Sequence, residues 1–558
     1  MNARRPLALT CALLLLAAAL LAGCGGSSKS GGSTAASTAA SSTGATAAGT
    51  VGRDPADYRV AWSDIDYIDP ALAYSWGWML VGQGYLGLLG YSHESAAKSG
   101  DVVPGLAEGM PRISPDRLTY TFTVRPGLRY SNGQPVKVGD FKYAVERMFR
   151  INSPAVGFVS TIVGADAYAR HPTGSLSGIT MNEQTRTITF RLTKPRGDFL
   201  NIIALSFLVP VPEGTPATDQ STHPIPSAGP FEIQSFHPGQ SFVLLRNKYY
   251  RPVPGIPAAR PARVDGTIVK DPDQALQMAI DGKVDYDFTG VPTERLGEVK
   301  QKYPDRLKAY ILAGTQYVWM NESIAPFDKL AVRQALNYAI DRNAISRLAG
   351  GLASPTENLL PPGYPSYRTI SAYTLDIAKA KSLVRQAGAT GAPVTILGPN
   401  DDDFGRKAML YLADQLSQIG LKPKLKLVSS SVYVGTAGGK LPINAGWGNW
   451  NQDYPHPLDW FDILLNGDRL SEPSNVNWGK VAIKPLDEEI DRLKAEPELT
   501  AQVNDDWARL DQDYVVRYAA VAPYANNVVA DFFGPRADTR CYVPLSIYRF
   551  DLTQACVK

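Results

Sequence analysis

Residues 118–133 read Leu118-Thr-Tyr-Thr-Phe-Thr-Val-Arg-Pro-Gly-Leu-Arg-Tyr-Ser-Asn-Gly133 and hold a strand pattern and two turn patterns in close succession. The first seven residues alternate at period two, which predicts a half-buried β-strand. Pro126-Gly127 ends that strand, and Ser131-Asn132-Gly133 predicts a second turn. Asp140 then stands where a helix N-cap is expected. The apolar residues after it form one helical stripe: Phe141, Ala144, Val145, Met148 and Phe149.

Strands and helices continue to alternate along the chain. Strands are predicted at Tyr58-Arg-Val-Ala-Trp62 and Thr187-Ile-Thr-Phe-Arg-Leu192, and an extended apolar segment at Tyr317-Val-Trp-Met-Asn321. Residues 264–286 predict a strand, a helix and a second strand. An amphipathic helix is predicted at residues 326–341, and further helices that end at Gly are predicted at residues 376–388 and 409–420. The chain is therefore expected to adopt a mixed α/β fold.

Four short pieces carry a resemblance to a known family. They are Val103-Pro-Gly-Leu-Ala-Glu108, Ser114-Pro-Asp-Arg-Leu-Thr-Tyr-Thr-Phe122, the Arg125–Gly133 segment and Gly139-Asp140-Phe141. Their order and spacing resemble the signature of the bacterial extracellular solute-binding proteins of the peptide and nickel group, family 5, which are receptors of ABC importers. A further block, Pro326-Phe-Asp-Lys-Leu-Ala-Val-Arg-Gln-Ala-Leu-Asn-Tyr-Ala-Ile-Asp341, is similar to the helix that opens the second lobe in that family.

The resemblance implies a periplasmic-binding-protein-like fold of type II, cluster C, with two lobes around a hinge cleft and an extra subdomain in the first lobe. We expect the first lobe at residues 53–315, with the inserted subdomain at about residues 95–230. The second lobe is expected at residues 316–515, and residues 516–558 are expected to return to the first lobe.

The N-terminus predicts export and a lipid anchor. Arg4-Arg5 precedes an apolar run from Leu7 to Leu21, which is typical of a secretory signal and too short for a comfortable membrane span. Leu21-Ala-Gly-Cys24 resembles the bacterial lipobox, which implies cleavage after residue 23 and lipidation of Cys24; an ordinary signal peptide is the alternative. Residues 24–52 contain almost only Gly, Ser, Ala and Thr after the Cys, the composition of a flexible tether.

Composition limits the class of protein and of partner. The chain of 558 residues is long enough for more than one lobe, and its formal net charge of +3 comes without a basic run, which argues against nucleic acid as a partner. Beyond Cys11 and Cys24 only Cys541 and Cys556 remain. In an exported protein this pair favours a disulfide near the C-terminus, with two free thiols as the alternative.

The candidate site lies in Asn444-Ala-Gly-Trp-Gly-Asn-Trp-Asn-Gln-Asp-Tyr-Pro-His-Pro-Leu-Asp-Trp460, where aromatic rings and prolines surround Asp453. Such surroundings suit a cation, because ring faces favour positive charge and a desolvated carboxylate makes a charge-assisted hydrogen bond. The alternative is a structural loop in which Trp447, Trp450 and Trp460 belong to the core. Trp450-Asn-Gln-Asp453 matches the family spacing that places the Asp against a peptide's ammonium, and Tyr454 extends the match.

Other positions complete the predicted site. The resemblance also nominates Tyr74, Ser75 and Trp76 of the first lobe as cleft-lining, although a surface loop with one packed aromatic explains them as well. Trp447 lies where some relatives offer a cation to the peptide's carboxylate, and His456 lies where many have an acidic residue. The resemblance therefore assigns no partner for the ligand's C-terminus.

The resemblance implies a monomeric receptor, without a cofactor or resident metal, that closes on a peptide between its lobes. It would stand outside the cytoplasm on the cell membrane and pass peptides to permease subunits with a cytoplasmic ATPase. A metal chelate such as nickel or haem, held by His456 and the Trp residues, and an oligosaccharide stacked on the Trp faces are alternatives. An enzyme is disfavoured, because the five His residues are scattered and no Gly-x-Ser-x-Gly sequence accompanies them.

Overall fold

The computed structural model describes residues 57–439, 441–472 and 475–558, so the signal peptide, Cys24 and the tether predicted above lie outside the described residues. Within these ranges nineteen strands occur, numbered β1 to β19 in chain order: Tyr58–Trp62, Leu89–Tyr91, Val102–Pro104, Arg112–Ile113, Thr119–Thr123, Ile179–Asn182, Thr187–Arg191, Phe231–His237, Ser241–Arg246, Arg263–Ile268, Tyr286–Asp287, Leu307–Met320, Ala353–Pro355, Pro393–Pro399, Lys422–Val428, Ala445–Asn451, Val521–Phe533, Pro544–Leu545 and Arg549–Phe550.

The same ranges contain fourteen α-helices, numbered α1 to α14 in chain order: Trp76–Gly84, Val138–Arg150, Ala165–Arg170, Phe199–Ile203, Pro272–Ile280, Leu296–Lys302, Leu330–Ala339, Arg342–Leu348, Ile377–Gln386, Asp403–Gln418, Ser430–Ala437, Leu458–Leu464, Lys484–Lys494 and Ala501–Gln512. A π-helical turn at Asp513–Arg517 follows α14. The strands predicted around residues 58, 119 and 187 and the helices predicted around residues 377 and 409 are confirmed, with ends shifted by a few residues.

One eleven-stranded sheet runs through the molecule in the order β15-β14-β16-β12-β17-β11-β1-β10-β9-β8, with β13 paired to β17 beside this path. The two long strands β12 and β17, of 14 and 13 residues, lie antiparallel at its centre. Their register shifts between Ile311 and Thr315. On one side of this shift β17 pairs with β11, and on the other side β12 pairs with β16. The pair therefore crosses between two lobes.

The first lobe holds the chain before β12 and the segment after β17. Its parallel strands β10, β1 and β11 continue the central sheet. A separate antiparallel sheet, β4-β5-β7-β6, belongs to the segment predicted as an inserted subdomain. Strand β5 buries Tyr120 and Phe122 and leaves its threonines half-exposed, as its alternation predicts. These rings pack in one hydrophobic cluster with Phe141 and Val145 of α2.

The second lobe holds the chain between β12 and β17. Strands β14, β15 and β16 are parallel, and adjacent buried residues of β14 such as Ile396 and Leu397 pack in different hydrophobic clusters, one on each side of the sheet. Residues of α7, α9 and α10 form one hydrophobic cluster, and residues of α12, α13 and α14 form another. The loop between β16 and α12 emerges from this lobe and carries Asp453.

The start of α2 differs from its prediction. The helix begins at Val138, so Asp140 is its third residue and not its N-cap. The Asp140 carboxylate accepts the backbone N–H of Lys137 at 2.9 Å, the Tyr130 hydroxyl at 2.9 Å and the backbone N–H of Glu213 at 3.0 Å. A carboxylate in the first turn of a helix accepts the backbone N–H of the N-cap residue, here Lys137, which would otherwise lack a partner. Its negative charge is also favourable near the helix N-terminus.

The segment after β17 returns to the first lobe. Its β18–β19 hairpin is held by Gln83 of α1, whose side-chain amide donates to the carbonyls of Tyr548 and Phe550 at 3.1 Å each. Arg549 pairs with the buried Asp531 at 2.6 Å. In the same segment a disulfide joins Cys541 to Cys556 across 15 residues.

Candidate ligand-binding site

A cavity of about 500 Å³ contains Asp453 and is lined by both lobes. The first lobe contributes Tyr74 and residues from the 154–161 and 194–198 segments. The second lobe contributes residues of the loop after β16, of α12 and of the 469–476 segment, together with Lys494. Clefts of this size between lobes are the usual place for a small ligand. The cavity is called the Asp453 cavity below.

Asp453 is a half-buried carboxylate in this wall, and no described cation pairs with it. Its side-chain partner is the Tyr74 hydroxyl of the first lobe, at 3.3 and 3.4 Å from the two carboxylate oxygens. Loss of solvent raises the pKa of Asp453 to about 6, against a smaller lowering by the Tyr74 hydrogen bond. A ligand ammonium would supply the missing positive charge.

Asp459 lies directly behind Asp453 and is fully buried. One of its oxygens, Oδ2, accepts the backbone N–H of Asp453 at 2.8 Å and the indole N–H of Trp450 at 3.4 Å. Burial, and then the nearby Asp453 carboxylate, raise the pKa of Asp459 well above its ordinary value. Through these hydrogen bonds Asp459 fixes the backbone of Asp453 and the ring of Trp450.

The two tryptophans of β16 lie on opposite sides of their strand, because residues three apart in a strand point to opposite faces. Trp450 lines the Asp453 cavity. Trp447 does not line this cavity: its indole N–H donates to Gln316 at 3.0 Å and its ring packs edge-on against Tyr433. Trp460, which the alternative interpretation placed in the core, is fully buried there.

Tyr454 lines the same cavity, but its hydroxyl is already used. It is buried and donates to Asp198 of the first lobe at 2.6 Å. Asp198 also takes both Nε and Nη2 of Arg196, at 2.6 and 3.1 Å. Although burial acts in the opposite direction, the Arg196 charge and these hydrogen bonds lower the pKa of Asp198. Tyr454 therefore joins the two lobes and has no hydroxyl to offer to a ligand.

Of the three residues nominated in the first lobe, one lines the Asp453 cavity and two do not. Tyr74 is 39% exposed, lines the cavity and stacks on Phe207. Ser75 is exposed and precedes α1, where its backbone N–H donates to Asp66 at 3.1 Å. Trp76 is exposed and packs edge-on against Phe288. Neither Ser75 nor Trp76 lines the Asp453 cavity.

The lobes touch directly around the cavity, so the described arrangement is a closed one. The backbone N–H of Gly197 donates to the carbonyl of Lys494 at 2.7 Å. Arg117 bonds the Ala495 carbonyl at 2.8 Å and pairs with Glu496 at 3.0 Å. Such contacts exist only when the two lobes meet, and they stabilise closure together with the Tyr74 and Tyr454 hydrogen bonds.

A second cavity, of about 510 Å³, lies on the other side of the loop that carries Asp453. Gln452, Pro455 and His456 line it, and most of its other residues are apolar or small. Burial lowers the pKa of His456 to about 4, and the neutral ring accepts the backbone N–H of Leu458 on Nδ1 at 3.1 Å. His456 therefore belongs to this second cavity and has one ring nitrogen already occupied.

Comparison with known proteins places the chain in a family. The family profile described as "Bacterial extracellular solute-binding proteins, family 5 Middle" matches residues 101–471, well over half of the chain. The chain belongs to this family. It is a family 5 solute-binding protein with the two-lobed α/β fold of that group.

Individual relatives of this family 5 protein are distant but cover most of it. The probable D,D-dipeptide-binding periplasmic protein DdpA of Escherichia coli is 24% identical over 426 residues, which is 74% of this chain and 78% of the relative. The glutathione-binding protein GsiB of Salmonella paratyphi A is 25% identical over 425 residues, 73% of this chain and 76% of the relative. The solved structure of the clavulanic acid biosynthesis oligopeptide binding protein 2 superposes with a TM-score of 0.81 at 23% identity, and covers 90% of this chain and 95% of that one.

Several residues that line the Asp453 cavity of this family 5 protein, or support its wall, were not predicted from the sequence. Asp459 lies in the quoted stretch, six residues after Asp453, and its acidic side chain in an otherwise apolar helix start was the available signal. Lys194, Arg196 and Asp198 come from the segment after β7, more than 250 residues away from Asp453. No local pattern marks them.

Two features are absent from the part of the chain that the structure describes. Between residues 57 and 558, with positions 440, 473 and 474 omitted, no helix combines the length and apolar character needed to cross a bilayer. Over the same positions, no group of three His, Cys, Asp or Glu side chains is arranged to hold a metal ion.

Proposed function

We propose that this family 5 protein captures peptides in the Asp453 cavity, outside the cytoplasm, and delivers them to an ABC importer. The observation that carries the proposal is Asp453, a carboxylate in the cavity wall whose side-chain partner is a hydroxyl and not a cation. The ammonium of a peptide N-terminus would both neutralise it and bond to it. The peptide ligands in the names of DdpA, GsiB and the oligopeptide binding protein support the same ligand class.

The lobes supply the mechanism of capture. A peptide that contacts Tyr74 of the first lobe and Asp453 of the second favours the closed arrangement, because only closure lets both lobes contribute. Closure would present one surface to the permease subunits, whose cytoplasmic ATPase drives transport. We propose that the protein acts as a monomeric receptor and carries out no chemical conversion itself.

Peptides fit the site better than the alternatives do. An oligosaccharide could stack on Trp450, but a neutral sugar would leave the Asp453 charge uncompensated. His456 would be the nitrogen ligand for a metal chelate, and it lies at the second cavity with Nδ1 hydrogen-bonded. The charge of the ligand therefore distinguishes a peptide from a neutral oligosaccharide, and the position of His456 argues against a metal chelate.

Native mass spectrometry of residues 53–558, purified gently from an expressing bacterium, tests the proposal. We expect a ladder of bound masses that leaves on partial unfolding and fragments into amino-acid residues. The same preparation of Asp453→Asn should lose most of the ladder. A single non-peptidic mass retained by both proteins would reject the peptide proposal.

We further propose that Cys24 is lipidated and that residues 24–52 tether the receptor to the cell membrane. The support is the resemblance of Leu21-Ala-Gly-Cys24 to a lipobox. In cells fed labelled palmitate, the full-length protein should take up label and sediment with membranes, while Cys24→Ala should do neither. Equal sedimentation without label in both proteins would contradict the anchor.

A further inference from the structure

Residues 233–264 of the first lobe contain no Asp or Glu, although they hold five cations: Arg246, Lys248, Arg251, Arg260 and Arg263. Arg263 pairs with Asp265, just beyond this range, at 2.8 Å. The other four are exposed, and none of them forms an ion pair with any residue that the structure describes. These four residues, Arg246, Lys248, Arg251 and Arg260, are called the basic patch below.

Hydrogen bonds to neutral groups hold the basic patch together. Arg246 ends β9, and its guanidinium donates to the carbonyl of Arg260. Arg251 donates to the carbonyl of Lys248 at 3.3 Å. Arg260 donates in turn to the Sγ of Cys541 at 3.2 Å. Because these acceptors are uncharged, the positive charges stay available to a partner outside the chain.

The acidic side chains on elements beside the patch do not neutralise it. Glu232 of β8 lies opposite Leu245, whose side chain points to the other face of the sheet from that of Arg246. In the C-terminal segment, which bonds to the backbone of the patch, Asp551 is buried and lies 3.0 Å from His93. The patch is therefore an uncompensated positive surface.

The basic patch also lies where the proposed tether joins the folded part. Strand β1 begins at Tyr58, directly opposite Val264 of β10 and about 4.8 Å from it, the usual spacing of paired strands. Arg260 comes four residues before Val264 in the chain. The patch is therefore at the end of the first lobe to which residues 24–52 would attach the membrane anchor.

We infer that the basic patch binds the headgroups of anionic phospholipids, so that the first lobe lies on the outer surface of the cell membrane. Exposed Lys and Arg are attracted to such a surface, each by about fivefold in binding. The anchor keeps the patch close to the lipid, so even weak contacts are made often. The argument from position rests on the proposed lipid anchor, whereas the argument from charge does not.

An extended surface suits this patch better than a small anion does. Its four residues line neither of the two cavities described above, so they do not enclose a small ligand there. Their side chains are long and exposed, and they can follow headgroups that move in the plane of a membrane. The bound state would be salt-dependent, because exposed charges are screened by ions.

Co-sedimentation with vesicles tests the inference without the anchor. Asp54–Lys558 forms a compact unit of its own, so residues 53–558 serve as the protein. The vesicles contain phosphatidylglycerol and phosphatidylcholine in equal parts, or phosphatidylcholine alone. At low ionic strength we expect binding to the anionic vesicles that is at least about tenfold stronger than to the neutral ones. About 1 M salt, where the Debye length is about 3 Å, should abolish this difference.

Substitutions then locate the binding. Replacing the four patch residues by Gln should weaken binding to anionic vesicles by a few hundredfold, since each contributes about fivefold. Changing the three arginines of the patch to Lys keeps the charge and should keep most of the binding. The matched control removes four exposed cations of the second lobe that also lack a described ion pair: Lys381→Gln, Arg385→Gln, Lys422→Gln and Lys424→Gln. It should bind as the unmodified protein does.

A single substitution covers the case in which the fourfold variant does not fold. The Lys248 side chain makes no hydrogen bond with a described residue, so Lys248→Gln should leave the fold intact and weaken vesicle binding about fivefold. Lys381→Gln alone should not weaken it. Circular dichroism checks the folding of each variant.

Several results would overturn the inference. They are equal binding to anionic and neutral vesicles, anionic binding that the patch substitutions leave unchanged, and an equal loss in the second-lobe control, which would mean that net charge and not the patch attracts the protein. None of these results bears on peptide capture, because the patch lines neither cavity. The palmitate experiment with Cys24→Ala tests the anchor separately.

Discussion

Asp453 lies in the cavity wall, where burial raises its pKa to about 6. Its side chain accepts a hydrogen bond from the Tyr74 hydroxyl. Replacing it by Asn removes the charge and keeps the shape. We expect Asp453→Asn to lose about 2–5 kcal/mol of binding free energy for peptides with a free N-terminus, because the ligand ammonium is then buried without a counter-charge. Isothermal titration calorimetry measures this loss.

Two comparisons control this experiment. N-acetylated peptides carry no ammonium, so the substitution should change their already weak binding very little. Asp166→Asn replaces an exposed acid in the inserted subdomain and should bind as the unmodified protein does. An Asp453→Asn protein that binds free peptides with full affinity would remove Asp453 from the site.

The pKa of Asp453 also predicts how binding depends on pH. Above about pH 6 the free protein carries an ionised Asp453 that is ready for an ammonium; below it the carboxyl holds a proton that must leave before the ion pair forms. Affinity should therefore fall as pH drops below 6, by up to about tenfold per pH unit. Titrations between pH 7.5 and 5 measure it, and Asp453→Asn should show no such fall in that window.

Among the elements, the C-terminal segment depends on its disulfide. Cys541–Cys556 closes a loop of 15 residues, and loops of this length gain about 3 kcal/mol from cross-linking in the chain-entropy description. We expect the double variant Cys541→Ser, Cys556→Ser to lose about 2–4 kcal/mol of unfolding free energy in urea. Its peptide affinity should stay the same, because neither cysteine lines a described cavity.

Chemical reduction of the disulfide provides a control for this prediction. Dithiothreitol should destabilise the unmodified protein by about as much as the double substitution does, and should leave the double variant unaffected. Equal stability of the reduced and oxidised proteins would mean that noncovalent contacts, such as those of Gln83 and Arg549, hold the β18–β19 hairpin without help from the disulfide.

For the whole molecule, closure depends on a close approach at Gly197. A Cβ added there would lie 2.1 Å from the carbonyl oxygen of Glu496 in the other lobe. Since the clash is with a backbone atom, no side-chain movement relieves it. We expect Gly197→Val to prevent full closure and to weaken peptide binding by at least about tenfold, because only the closed arrangement lets both lobes contact a ligand in the cavity.

Small-angle scattering and calorimetry together check this prediction. The unmodified protein should become more compact when peptide is added, and Gly197→Val should not. Gly297→Ala is the control, since a Cβ at Gly297 meets nothing within 4 Å. A Gly197→Val protein that compacts and binds normally would show that the Gly197–Lys494 contact has no part in capture.

Local patterns in the sequence determined much of this protein by themselves. Period-two alternation identified β5 and β7, helical stripes identified α2 and α7, and motif order identified the family. These signals are short-range, because they record which face of one strand or helix is buried. The same kind of signal located Asp453 and Trp450, since both lie in one unusual stretch.

Only the tertiary structure decided which other residues share the cavity with them. Tyr74 and Asp453 lie 379 residues apart in the chain and meet through one hydrogen bond. Trp447 was nominated because it lies in the same aromatic stretch, yet it extends from the other face of β16, because the stretch is a strand up to Asn451 and only then a loop. Lys194 could not be found from its own surroundings, because its place in the cavity wall becomes evident only when the residues of the other lobe are in position.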